Sequence, residues 1–262
     1  MGEREKEIDT DVGAGTAVAE PGETSAGPAP AAAGGTVAFA SLDPVMPDPK
    51  ASGKLPAGRH GLPPELVVEV QRQRILAAMV AAVGEKGYDD AVVQDVLDRA
   101  SISRLTFYKH FKGKRECFLA AFELAIERLR RRLTGAARTG GDVPRDRLRA
   151  GLAELLRFVE NEARTARALL VEVNAAGLEA LARRDAAMRR FAGYVDGLRE
   201  EPGAASPPPI TSESIVGGIV SLLHSRLTSD RPTDYSELLP QLMHFAVLPY
   251  LGPKTADAEL AS

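Results

Sequence analysis

From Pro63-Pro64 to Leu251 the apolar residues recur at three- and four-residue spacings, and nowhere alternate over the length of a strand. That period places side chains on one stripe of a helix rather than on one face of a sheet. A chain so patterned buries its apolar surface by stacking helices on helices. The predicted fold is therefore all-α, with about nine helices. Aromatic residues are only 5% of the chain and Trp is absent, so the core has to be aliphatic, chiefly Ala, Leu and Val.

The first stripe is Val68, Ile75, Leu76, Met79 and Val83, ending before Gly87, a residue suited to a left-handed helix cap. A short helix fits Val93–Ala100, and Ser101-Ile102-Ser103 makes a turn. Ser103 caps a third helix, Arg104–Phe111. After Gly113 a longer helix is predicted from Lys114 to Leu133, then a glycine-containing loop to Val143. Pro144 opens the next helix, running to Asn161. Further helices are expected over Ala163–Ala175, Leu178–Glu200, from a Thr211 or Ser212 cap to Ser229, and over Ser236–Leu251, where Gly252-Pro253 ends the pattern.

Composition excludes several functions. A single cysteine permits neither a disulfide framework nor a cysteine-based zinc site. The four histidines, at 60, 110, 224 and 244, lack metal-ligand spacing. No apolar run reaches the ~18 residues of a membrane span. The charged start Met1–Lys6, with no apolar stretch behind it, predicts no secretory leader, and a cytoplasmic protein is expected. The sequence calls for no cofactor and no metal. An all-α enzyme finds no support: there is no Gly-rich phosphate loop and no carboxylate–histidine pair of the Glu-x-x-His kind.

Net charge is −3, but it is unevenly laid out. Residues 1–49 hold 2 basic and 9 acidic side chains, whereas residues 50–116 hold 12 basic and 8 acidic. From Arg99 to Arg115 there are Arg99, Arg104, Lys109, Lys112, Lys114 and Arg115, with His110 and no acid. A like-charged run repels itself unless an anion lies beside it. Two short helices joined by a tight turn, the second basic and opening with small polar residues, describe a helix-turn-helix, whose second helix enters the major groove of DNA.

The run Val96 to Glu116 resembles the helix-turn-helix of TetR-family regulators. Its most specific part is Thr106-Phe107-Tyr108-Lys109-His110-Phe111, followed three residues later by Lys114; the resemblance covers Ile75–Phe118. It implies a three-helix DNA-binding domain, a C-terminal helical ligand-binding and dimerisation domain, and a homodimer on a palindromic operator. It also implies repression relieved by a small molecule. Arg104 and Thr106 would then face bases, Tyr108 and His110 would contact phosphates, and Lys109 would reach either. Lys114 would hold a phosphate at the start of the fourth helix, and Gln94 would reach the backbone or a base. Ser103, at the head of the recognition helix, completes the set, chiefly as its cap. Two positions depart from the family pattern. Ser101 stands where glycine is usual, and Val92 where Ser or Thr usually caps the second helix, leaving Asp90 as the expected cap.

The organisation so implied is a disordered acidic, Ala-, Gly- and Pro-rich tail over 1–60, a DNA-binding domain over 61–118, a sensor and dimerisation domain over 119–252, and a frayed tail over 253–262. Lys54, Arg59 and His60 could form a basic arm before the first helix. Dimerisation falls on residues 211–251, with Gly217-Gly218 admitting a close partner helix. Phe158, Val173, Met188, Phe191 and Tyr194 are candidates to line a ligand pocket, though the same residue types build plain core. A filled core would favour a constitutive DNA-binding dimer; an apolar cavity would favour ligand control.

Overall fold

The computed structural model describes residues 64–229 and 233–261. The tail over 1–60 and the arm positions Lys54, Arg59 and His60 lie outside the described residues. Among the described residues there are nine α-helices, two 3-10 turns and no strand. No described helix is long and apolar enough to cross a membrane.

Helix α1 (Pro64–Lys86) changes character along its length. Val68 is exposed, contrary to the expected stripe, while Ile75, Leu76, Met79 and Val83 are joined in the core by Ala77, Ala78, Val80 and Ala82. The second half is thus buried on every side, because α2 (Val93–Ala100), α4 (Lys114–Thr139) and α6 (Ala163–Leu170) all pack against it. Gly84 is where α6 comes closest. A Cβ there would lie 2.1 Å from the carbonyl oxygen of Arg164, so no larger residue fits without moving α6.

Helices α2 and α3 (Arg104–His110) meet at the three-residue turn. Ser101 adopts the left-handed conformation that its place in the turn demands (φ 51°, ψ 51°), and Ile102 N–H bonds to Leu97 C=O at 3.2 Å. Ser103 Oγ accepts from Thr106 N–H at 3.1 Å, capping α3. The start of α2 is secured by Asp95 rather than by Asp90. The Asp95 carboxylate reaches back to Val92 N–H at 2.9 Å and pairs with Lys86 at 2.5 Å. Those two bonds, Lys86 first, hold the Asp95 carboxyl below its ordinary range.

Helix α4 continues through Gly135 to Thr139, six residues beyond its expected end. A helical glycine costs about 1 kcal/mol, which the long packing of α4 along α5 (Pro144–Asn161) offsets. After α6 the chain tightens into a 3-10 turn, Glu172–Ala175. Helix α7 (Leu178–Asp196) likewise ends in one, Gly197–Glu200. Helix α8 (Ile210–Thr228) starts without a side-chain cap; Ser212 sits buried inside it, bonded to Pro209 C=O.

The segment expected to fray does not. Helix α9 (Leu238–Leu260) breaks at Gly252 (φ 76°) and then resumes. Beyond the break Ala256 and Glu259 are buried. The Glu259 carboxylate is gripped by Arg149 and lies 3.5 Å from Arg145, both on α5. The sequence pattern missed this because two arginines, not an apolar stripe, hold the segment down.

Ser101→Gly removes the left-handed penalty of a Cβ, about 1–2 kcal/mol, against the unfolded-chain entropy of glycine, about 0.5–1 kcal/mol. The expected outcome is a net gain of about 0.5 kcal/mol in urea unfolding; a loss would show that the turn does not strain Ser101.

Candidate nucleic-acid interface and internal cavity

Helix α3 is anchored from one side. Phe107 and Phe111 are buried, their rings 5.9 Å apart, and Arg72 of α1 lies 4.9 Å over Phe111. The spacing of those anchors turns Arg104, Leu105, Tyr108 and Lys109 outward on one face, and all four are exposed. Lys112 is exposed just beyond. Among the described residues Arg104, Lys109 and Lys112 make no salt bridge. This face therefore presents uncompensated positive charge and two apolar groups, Leu105 and Tyr108, to whatever approaches.

The other expected positions are distributed around that face. Arg104 donates to Gln94 Oε1 at 3.1 Å, and Gln94 in turn donates to Asp98 at 2.8 Å. This link ties the head of α3 to exposed α2. Thr106 Oγ1 lies 2.9 Å from Ser103 Oγ, so its hydroxyl is engaged in the cap and its methyl is the part left to offer. His110 is half-buried, and its imidazole is held below the usual histidine range, first by burial and then by Arg72. The neutral imidazole, which can still offer a hydrogen bond, is the form this setting favours.

Lys114 differs most from expectation. Its ammonium donates to Tyr88 C=O at 2.8 Å and to Asp89 C=O at 3.2 Å, and lies 4.5 Å from the Tyr88 ring centroid. It stitches the start of α4 to the turn after α1. Leu105 was not among the predicted residues; an exposed leucine next to Arg104 was the available signal.

A second feature lies in the helical body. A cavity of about 610 Å³ opens between α4, α5, α6, α7 and α8. Its wall is mainly aliphatic and aromatic, with Leu129, Leu152 and Leu223 among its residues. Phe158, Met188, Phe191 and Tyr194 stand on the wall. Val173 does not; it lies within the 3-10 turn and is fully buried in the core. The polar lining residues are Thr134, bonded to Tyr194 at 2.8 Å, with Arg138, Asp142, Arg147, Glu200 and Arg184, the last oriented by Asn174 and Asp185. Such a wall suits a ligand that is mostly apolar with a small polar or charged part.

The architecture is that of a helix-turn-helix protein with an all-helical body. Residues 75–121 match the family model described as bacterial regulatory proteins, tetR family. The chain is 31% identical over 109 residues to the HTH-type transcriptional activator FasR of Mycolicibacterium smegmatis, a match covering 42% of this chain and 49% of that protein. It thus spans about half the length of that relative. The fold is similar to the regulator FadR from Bacillus subtilis in complex with stearoyl-CoA (TM-score 0.59, 16% identity, 69% of this chain and 98% of that one). It is also similar to SmeT, the repressor of the Stenotrophomonas maltophilia efflux pump SmeDEF (TM-score 0.55, 20% identity, 68% and 89%). At those identities the fold is what is shared. Residues 75–121 thus form a helix-turn-helix segment similar to that of tetR-family regulators.

Because the fold favours neutral His110, its contribution to stability is fully present above the unfolded histidine pKa, about 6.5. It is lost as pH falls through the lower folded value. Urea midpoints measured from pH 7.5 to 5 should show an acid-side loss that His110→Gln diminishes; an identical slope in the variant would contradict the burial argument.

Proposed function

We propose that the protein is a transcriptional regulator that binds a palindromic operator as a homodimer and releases it when a small apolar ligand enters the cavity. The observation that carries this reading is the α3 face: exposed Arg104, Leu105, Tyr108 and Lys109, anchored from behind by Phe107 and Phe111. A basic helix held this way fits the major groove. Arg104 reads a base by bidentate contact, and the Thr106 methyl and Leu105 meet thymine methyl groups. Tyr108, Lys109 and neutral His110 hold phosphates, and Gln94 positions Arg104. Ser103 caps the helix. Lys114 serves the scaffold through the Tyr88 and Asp89 carbonyls in place of a phosphate.

Dimerisation is assigned to α8 and α9, where Phe245 and Leu248 are exposed apolar side chains. Within the glycine pair, Gly218 also has a role inside its own chain. A Cβ on Gly218 would lie 3.2 Å from the Phe245 ring of the same chain, so its smallness serves packing within one subunit. Two-fold symmetry then sets the two recognition helices about 34–36 Å apart.

Ligand control, rather than constitutive binding, is favoured by the 610 Å³ cavity. A long acyl thioester is the effector class proposed, supported by the apolar wall and by the stearoyl-CoA held by FadR. Activation in place of repression is a second reading, favoured by the match to FasR, named an activator. Transcription from the operator in vitro, with and without the protein, separates the two.

Selection of duplexes from a random pool should return a two-fold consensus, and light scattering should give a dimer; a monomer that enriches no sequence would end this reading. Arg104→Ala should cost about 1–3 kcal/mol at one base position per half-site, whereas Lys109→Ala should weaken all duplexes alike and reduce the salt dependence. Met188→Trp, which fills the cavity wall, should weaken stearoyl-CoA binding at least about tenfold, roughly the 1.4 kcal/mol of one decade, while leaving operator affinity unchanged.

A further inference from the structure

One buried carboxylate joins the body of the protein to its DNA-binding domain. Glu172 opens the 3-10 turn after α6 and is only 9% exposed. Its Oε2 accepts the backbone N–H of Tyr88 at 2.9 Å, across 84 positions of sequence. Its Oε1 pairs with Arg167 Nε at 3.1 Å. Arg167 also reaches the Leu227 carbonyl near the end of α8 at 3.5 Å. Gly87 leaves room for the carboxylate: it is left-handed (φ 88°), and a Cβ there would sit 3.3 Å from Glu172 Oε2.

Both ends of this link touch working parts. On the body side, Leu169 and Leu170 stand on the cavity wall three and two residues before Glu172, and Leu223 of α8 joins them there. On the DNA side, Tyr88 is a junction. Its N–H binds Glu172, its carbonyl takes the Lys114 ammonium, and its ring meets Phe118 edge-on at 5.0 Å. The turn it occupies leads into α2, which carries Gln94 and the contact to Arg104.

We propose that Glu172 couples the cavity to the recognition helix by holding the Tyr88 amide, so that a shift of α6 and its 3-10 turn moves the turn between α1 and α2. This rests on the ligand-responsive reading above. The physical reason is that a buried, charge-assisted hydrogen bond is costly to leave unmade. When a ligand displaces Leu169 and Leu170, Glu172 either carries Tyr88 along or abandons it. Both outcomes change the free energy of the DNA-competent arrangement, and that difference is what coupling between two sites consists of. Glu172 touches neither ligand nor DNA; it is a positioning residue.

The test uses full-length protein, a duplex obtained by selection, and stearoyl-CoA as the probe. In the wild type, saturating stearoyl-CoA should change operator Kd by about tenfold or more. In Glu172→Ala the protein should still bind the duplex and the probe separately, but the factor should fall below about twofold. Glu172→Gln keeps an oxygen acceptor for the Tyr88 amide and should retain most of the coupling; Glu172→Asp, one methylene shorter, should lose it. If Ala does not fold, the Gln and Asp pair decides. Hydrogen exchange at the Tyr88 amide supplies a readout that needs no ligand: slow in the wild type and Gln, fast in Ala and Asp. Full coupling and a protected Tyr88 amide in both Ala and Asp overturn the proposal. If stearoyl-CoA leaves the wild type unchanged, the effector reading fails, and Glu172 is judged on exchange and on operator affinity. Fast Tyr88 exchange with a more than about fivefold change in Kd in Ala or Asp supports it; neither change refutes it.

Discussion

The C-terminal half of α1 belongs to two domains at once, and the rest of the molecule is arranged around that fact. Ile75 to Val83 are buried by α2 and α4 on one side and by α6 on another. At Gly84 the backbones of α1 and α6 approach so closely that a methyl group would collide with Arg164. A close-packed contact of this kind cannot slide freely. At this crossing α1 and α6 are held in close register.

Two surfaces of opposite chemistry depend on that frame. The α3 face offers positive charge and a few apolar groups to solvent, a surface that suits a polyanion with grooves. The cavity lined by α4 to α8 offers the reverse, a mainly apolar wall with a minority of polar and charged groups. Between them lies a short polar path through Arg167, Glu172, Tyr88 and Lys114, set in otherwise apolar packing. Its one buried bond, from the Tyr88 N–H to Glu172, tolerates few alternative arrangements, because a lost partner carries a desolvation penalty.

Much of this was legible in advance. The limits of α2 and α5 follow from the apolar period and the Pro144 start. The turn between α2 and α3 was readable from Ser101-Ile102-Ser103, even with serine in a conformation that favours glycine. The errors share a cause. Gly135 read as a breaker because its cost is local, whereas the packing of α4 on α5 that overcomes it is not. The end of the chain read as frayed because Gly252-Pro253 ends the helical pattern, and only the fold brings Arg145 and Arg149 beside Glu259. For Lys114, only the fold shows that the Tyr88 and Asp89 carbonyls lie within its reach.

The sequence alone determined where most of the helices lie, most of their apolar faces, and that a short basic helix follows a tight turn. Those are properties of near neighbours, set by spacing, caps and charge along a few turns of chain. Only the tertiary structure decided that the body encloses a cavity, that Val173 lies behind its wall rather than on it, and that Gly218 makes way for Phe245 of its own chain. It alone decided that Glu172 meets Tyr88. Such features depend on which surfaces meet after distant segments pack, and no local period encodes that meeting.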